Sequence, residues 1–207
     1  MFKVYYKYGT MNSSKTANLL MAVHNYQTKG VKTYIMTPRL DNRAGEGVVK
    51  ARIGLTAKAD FVVDSIKDNS EFADKLTNFI KQVYEQDGVI FIDECQFIDS
   101  ETVHTICDLC RSLDQVAPIQ SENFCLLAYG LLTDYNSRLF DGSKAWVEEA
   151  DSMHEVKTVC HYCNRKATRN LLRQDLARQA DNNHSNIVIG DEEYQSVCSY
   201  HYFKYHK

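Results

Sequence analysis

The sequence predicts an α/β fold: a parallel sheet flanked by helices and presenting a phosphate-binding loop, followed by a small C-terminal metal-binding module. Three observations predict it. The stretch Gly9-Thr10-Met11-Asn12-Ser13-Ser14-Lys15-Thr16 sits between a strand-like run, Lys3 to Tyr8, and a helix-like run from Lys15 to Thr28. An unbroken apolar run, Val89-Ile90-Phe91-Ile92, ends abruptly in Asp93-Glu94. Two pairs of metal-binding side chains, Cys160/Cys163 and Cys198/His201, each enclose a two-residue spacer.

Strand, short loop and a helix opening on Lys-Thr are the context a phosphate loop needs. Backbone N–H groups and the positive end of the helix dipole converge there on an anion. Lys15 is expected to reach the β- and γ-phosphates and the Thr16 hydroxyl to hold Mg²⁺. In the usual pattern, G-x-x-x-x-G-K-[ST], a second glycine precedes the lysine, whereas Ser14 stands there in this chain. A left-handed backbone at Ser14 would cost roughly 1–2 kcal/mol. The competing reading of the same residues is a polar loop before an ordinary serine-capped helix.

Gly30 marks the end of the first helix. Val31 to Met36 reads as a second strand that stops at Thr37-Pro38, since proline cannot donate to a ladder. This β-α-β opening argues for parallel strands. Residues 39–59 read as a long polar loop, functional or mobile for its length. In it Arg43 and Arg52 are placed to meet phosphate and Asp41 to sit near the metal, the alternative being a solvated charged loop. Phe61 to Asp64 is a short strand. Glu71 to Glu85 carries Phe72, Leu76, Phe79, Ile80 and Val83 at helical spacing.

The run 89–92 has the character of a central parallel strand buried on both faces. At its carboxyl end, where open α/β sheets bind ligands, Asp93 would hold Mg²⁺ and Glu94 would act as base; the competing reading is a solvated acidic turn. A helix is expected from Asp99 to Asp114, with Cys107 and Cys110 as small buried apolar residues rather than a redox-active or ligand pair. Asn123 to Ala128 reads as the last strong strand, and Trp146 falls on a short helix. The composition changes near Ala150, which divides the chain into residues 1–150, a nucleotide-binding domain, and residues 151–207, a zinc module.

Paired ligands with two-residue spacers suit one tetrahedral Zn²⁺, and four protein ligands leave no open position, so a structural zinc is expected from Cys160, Cys163, Cys198 and His201. His161 and His206 are substitute candidates. A loop anchored there and folded over the nucleotide site would exclude water. The formal net charge of −3 gives no electrostatic reason to bind nucleic acid. No apolar run approaches membrane-spanning length, no secretory leader is read at the Tyr-rich start, and seven cysteines point to a reduced, cytoplasmic compartment.

Taken together and in order, these segments resemble the zinc-containing thymidine kinases, nearest their bacterial and phage-like members. The resemblance spans nearly the whole chain. It rests on residues 11–16, Asp41-Asn42-Arg43, Arg52-Ile53-Gly54-Leu55 and Asp93-Glu94-Cys95-Gln96-Phe97. It continues through Tyr129-Gly130-Leu131-Leu132-Thr133-Asp134, Leu139-Phe140, the two ligand pairs, Ile189-Gly190 and Tyr194. It implies a P-loop NTPase-type sheet and transfer of the γ-phosphate of ATP to the 5′-hydroxyl of thymidine, with deoxyuridine a possible acceptor. Gly9 to Thr16 would bind phosphate and Mg²⁺ with Asp93, supported by Asp41, Arg43 and Gln96, and Glu94 would be the general base. Thymine would be held by a lasso formed here by Asn186, Ile187, Val188, Ile189 and Gly190. Tyr194 would pack on the base or sugar, Met11 would line the methyl pocket, and Phe97 and Phe140 would lie near the base. The resemblance also implies a homotetramer and feedback by dTTP.

Three positions depart from the family pattern: Ser14 for the loop glycine, Leu132 where bacterial members usually carry arginine, and a segment from Gly190 to Tyr194 shorter by one residue. Two other readings stay open on the sequence: a nucleotide-binding homologue without turnover, and a P-loop ATPase or interaction protein that uses zinc to dock a partner. Glu94, Gln96 and Tyr194 favour the kinase, because neither alternative needs a carboxylate beside Asp93 together with a thymine-facing lasso.

Overall fold

The computed structural model describes residues 1–67, 69–116, 122–172 and 194–206. In chain order the elements are β1 (Val4–Gly9), α1 (Lys15–Gln27), β2 (Thr33–Pro38), β3 (Val48–Lys50), β4 (Thr56–Lys58), β5 (Phe61–Val63), α2 (Ser70–Glu85) and β6 (Val89–Ile92). After a 3₁₀ turn (Cys95–Phe97) come α3 (Ser100–Val116), β7 (Cys125–Leu131), α4 (Asp141–Glu149), β8 (Ser152–Glu155), β9 (Arg169–Leu172), β10 (Tyr194–Val197) and α5 (Ser199–Tyr205). Six strands form one sheet in the order β5-β2-β6-β7-β1-β8, every pair parallel. The fold is α/β with a parallel sheet flanked by helices, as the sequence predicts, and a Cys₃His cluster lies in its C-terminal part.

Alternation along the central strands separates two cores. Ile90 and Ile92 pack on one face with Leu76 and Ile80 of α2, Val103 and Ile106 of α3, and Trp146 of α4. Val89 and Phe91 pack on the other with Leu19, Leu20 and Val23 of α1. All four residues of β6 are fully buried, and each such side chain contributes on the order of 1.5–3 kcal/mol relative to exposure. Side chains cap two of the helices: Asn69 accepts from the Phe72 N–H at 3.1 Å, and Asp99 accepts from Thr102 N–H at 3.1 Å. Cys107 and Cys110 are fully buried in the first core, and burial pushes both thiols up, as expected of inert apolar residues.

Two segments differ from the sequence expectation. Residues 39–59 are not one long loop: β3 and β4 pair antiparallel, with Val48 opposite Lys58 and Lys50 opposite Thr56. The hairpin forms because Val49, Ala51 and Ala59 reach the core beneath α1. Strand β8 adds to the sheet edge beside β1, held by Asp151, which accepts Val4 N–H at 2.8 Å and donates its own N–H to the Val4 carbonyl at 2.9 Å. Beyond it, β9 and β10 pair antiparallel and pack with α5 on a separate small core of Cys160, Leu171, Val197, Cys198 and Tyr202.

Candidate active site

Strand β1 delivers the chain to the loop between Gly9 and Lys15. A Cβ on Gly9 would lie 2.5 Å from Ser13 Oγ and 2.6 Å from the Val156 carbonyl, so only glycine lets the loop curl back over the strand end. Asn12 and Ser14 are left-handed, with φ of 59° and 62°. The cost foreseen at Ser14, roughly 1–2 kcal/mol, therefore applies, and strain of this kind persists where surrounding structure enforces it, typically at ligand sites. Ser14 makes no side-chain cap to α1, which removes the serine-cap reading. Its carbonyl instead accepts from Asn18 N–H at 2.9 Å and Asn18 Nδ2 at 2.8 Å. The hydroxyls of Thr10 and Ser13 are buried without a hydrogen-bond partner. Orphaned donors inside an N–H-lined turn fit an anion.

Lys15 is buried, with Nζ donating to the Thr10 carbonyl at 2.9 Å. Burial lowers its pKa, against the pull of Glu94 and Asp93. The Thr16 hydroxyl, in the first turn of α1, donates to Asp93 Oδ1 at 3.2 Å, although β1, which leads to that helix, and β6, which ends before Asp93, are separated by β7. Burial and the neighbouring Glu94 carboxylate push Asp93 up to about 7, with the Thr16 hydroxyl opposing. A buried carboxylate and a hydroxyl beside a phosphate loop are hard oxygen donors of the kind Mg²⁺ takes, so the residues present fit the cation.

Glu94 leaves the sheet in a left-handed conformation, φ 46°. Its Oε1 accepts from Arg43 Nη2 at 2.6 Å and its Oε2 from Gln96 Nε2 at 2.6 Å. Arg43 is fixed in turn by Asp41, through Nε to Oδ1 at 2.6 Å and Nη2 to Oδ2 at 3.2 Å. Gln96 is buried and accepts Leu131 N–H at 3.0 Å; a Cβ on Gly130 would lie 2.6 Å from both Cys95 Sγ and Gln96 Oε1. Burial works against ionisation of Glu94, yet Arg43 and Lys15 outweigh it and hold the carboxyl below its ordinary value. Asp41, Arg43, Asp93, Glu94 and the loop residues Met11 to Thr16 all line one cavity of about 320 Å³, closed on a further side by hairpin residues including Val48 and Arg52.

Phe97 and Phe140 lie outside that lining and pack edge to face, centroids 6.0 Å apart at 80°. Met11 is buried at the cavity wall, and Tyr194 opens β10 opposite Leu172. Asn186, Ile187, Val188, Ile189 and Gly190 lie outside the described residues. Leu132 packs against the main core.

The four C-terminal ligand candidates come together. One donor atom from each of Cys160, Cys163, Cys198 and His201 lies within 4.8 Å of all the others. His201 Nδ1 is 3.4 Å from both Cys160 Sγ and Cys198 Sγ, and Cys163 Sγ is 3.9 Å from Cys198 Sγ. Metal–sulfur bonds of about 2.3 Å in a tetrahedron give sulfur–sulfur edges of roughly 3.8 Å, so this donor set fits zinc. Burial resists ionisation of Cys160, but the N–H groups of Cys198, Tyr162 and Cys163 together with His201 bring its thiol down to about 6. The substitute candidates stand aside: His161 packs edge-on to Tyr162, and His206 stacks on Tyr202.

Two features escaped the sequence reading. The β3–β4 hairpin walls the cavity around residues 11–16; the β-branched pair Val48-Val49 and the turn glycine Gly54 were its only signals. Asn170 and Ser196, buried polar residues of β9 and β10, hydrogen-bond the Met11 peptide across the molecule. Both fall in segments whose polar composition resembles loop.

Comparisons with known proteins bear on the whole length. A family model described as thymidine kinase matches residues 2–202. The thymidine kinase of Streptococcus gordonii is 38% identical over 204 residues, covering 99% of this chain and 97% of that protein. The thymidine kinases of Streptococcus pyogenes serotype M6 and Streptococcus agalactiae serotype Ia are 37% and 36% identical over 203 residues, covering 98% of this chain and 98% of each relative. Among solved structures, the Pif1 helicase from Candida albicans is similar with a TM-score of 0.39 at 11% identity, over 75% of this chain and 36% of that one. Since the matched span runs from the strand before the phosphate loop past the last ligand pair, the chain belongs to the thymidine kinase family.

Proposed function

We propose that this thymidine kinase transfers the γ-phosphate of ATP to the 5′-hydroxyl of thymidine, or of deoxyuridine, with Glu94 as general base. The observation that carries the reading is the convergence of one carboxylate held by Arg43 and Gln96 with the Lys15, Thr16 and Asp93 groups around a single cavity. The loop N–H groups cradle the β-phosphate, and Lys15 gives up the Thr10 carbonyl for the β- and γ-oxygens. Thr16 and Asp93 would hold Mg²⁺, whose charge would supply neutralisation at the phosphates. Glu94 accepts the 5′-hydroxyl proton while that oxygen bonds to the γ-phosphorus and the bond to the β-phosphate oxygen breaks, so dTMP and ADP leave. Positioning and charge neutralisation supply most of the acceleration. Asp41 keeps Arg43 aimed at the carboxylate.

Met11, Phe97, Phe140, Tyr194 and residues 186–190 hold the nucleoside in this reading, and the Cys₃His zinc is structural because its four protein ligands leave no open position. The work of the chain divides between a sheet domain that binds ATP and a zinc module that closes on the nucleoside. The remaining properties implied by the family, a homotetramer and dTTP feedback, are tested by sedimentation and by dTTP titration of the rate. A cytoplasmic location is supported by seven cysteines with no disulfide among them; no helix among the described residues is long and apolar enough to cross a membrane.

The test is transfer of labelled γ-phosphate from Mg-ATP to thymidine, deoxyuridine and deoxycytidine. Labelled dTMP with no labelled dCMP is expected. ATP binding without transfer to any nucleoside would replace the kinase with a nucleotide-binding homologue.

A further inference from the structure

The N–H and the carbonyl of Met11 are both held from the far end of the chain. Its N–H donates to Asn170 Oδ1 at 2.8 Å, and its carbonyl accepts from the Ser196 hydroxyl, across sequence separations of 159 and 185 residues. Asn170 and Ser196 are direct register partners on β9 and β10, and both are buried. The second arm of Asn170, Nδ2, donates to the Thr133 carbonyl at 3.0 Å, so its amide plane is fixed at both ends. The hairpin is fixed as well: Thr168 N–H donates to the Val197 carbonyl, His161 N–H to the Ser196 carbonyl, and Val197 leads directly into Cys198 of the Cys₃His cluster.

The residues beside Met11 explain why such a clamp matters. Ser14 is left-handed without being glycine or asparagine, so the loop carries a local cost in this shape. The Ser196 hydroxyl also engages the Met11 carbonyl, an acceptor that would repel phosphate if it turned into the cavity.

We propose that Asn170 and Ser196 are positioning residues for ATP: by clamping the Met11 peptide they hold the phosphate loop in its anion-receiving shape. The inference rests on the reading of residues 9–16 as the ATP phosphate site. It goes beyond that reading by assigning the zinc-bearing hairpin a part in ATP affinity.

The test measures equilibrium dissociation constants for Mg-ATP and, separately, for thymidine in the full-length zinc-loaded protein. Wild type is compared with Ser196→Ala, Ser196→Thr and Asn170→Ala, with zinc content and melting temperature recorded for each. Wild-type binding of Mg-ATP that Lys15→Ala abolishes checks the underlying reading by itself. Ser196→Ala is expected to raise the ATP dissociation constant about five-fold or more, in line with loss of a buried hydrogen bond. Thymidine affinity, which Met11 also serves in that reading, is expected to move less than ATP affinity, zinc to stay bound, and Ser196→Thr, which keeps the hydroxyl, to restore ATP affinity. Should Asn170→Ala fail to fold, the Ser196 pair decides alone. An ATP constant that moves less than two-fold, or no more than the thymidine constant, overturns the proposal.

Discussion

Arg43 Nη2 lies 2.6 Å from Glu94 Oε1, while the same guanidinium grips both oxygens of Asp41. The fork geometry is what joins the two carboxylates. Lysine keeps the charge but cannot bridge them. Arg43→Lys is expected to lower kcat about ten-fold or more with little change in melting temperature. Steady-state kinetics check this, and full activity would mean that a point charge is enough.

Ser14 carries the strain that glycine would not. Ser14→Gly is expected to stabilise the protein by about 1 kcal/mol, which for a domain of this size raises Tm by roughly 2–4 °C. Thermal melting checks it; a lower Tm would show that the hydroxyl or the stiffer unfolded chain matters more.

Removing one zinc ligand should empty the cluster. Cys163→Ser is expected to reduce bound zinc to near zero and to loosen the β9–β10 hairpin, whose small core includes Cys160 and Cys198. Metal analysis and hydrogen exchange of residues 160–172 read the two effects. Unchanged zinc content would remove Cys163 from the ligand set.

Glu149 joins α4 to α3. It accepts from His104 Nδ1 at 2.5 Å and pairs with Arg111, and its side chain is 12% exposed. Burial opposes its ionisation, but the bonds from His104 and Arg111 prevail and hold its pKa low. A carboxyl whose pKa is lower folded than unfolded adds stability above its unfolded value, and that stability is lost as pH falls through the folded value. Glu149→Gln is therefore expected to cost about 1–2 kcal/mol at neutral pH, with the gap to wild type closing below about pH 4. Denaturant melts across pH check this, and a gap that stays constant with pH would contradict it.

The order of strand, loop, helix and acidic strand end was legible because each rests on local chemistry. Val89 to Ile92 has no polar residue to mislead, and Lys15-Thr16 and Asp93-Glu94 sit where a sheet collects ligands. The cysteine pairs were legible from spacing alone. What stayed hidden depends on contacts far apart in sequence. Strand β8, Ser-Met-His-Glu, has no apolar alternation and exists because β1 offers it an edge. The hairpin at 48–58 is short and polar and is held by the core beneath α1. Asn170 and Ser196 look like loop residues until Met11 is seen between them.

The most direct test of the account is Glu94→Gln. The amide keeps the size of the side chain and a contact for Arg43 but cannot take a proton. The account predicts that γ-phosphate transfer to thymidine falls by at least about a hundred-fold, as expected for loss of a general base, while Mg-ATP still binds. Transfer within a few-fold of wild type would contradict Glu94 as the base and with it the central claim.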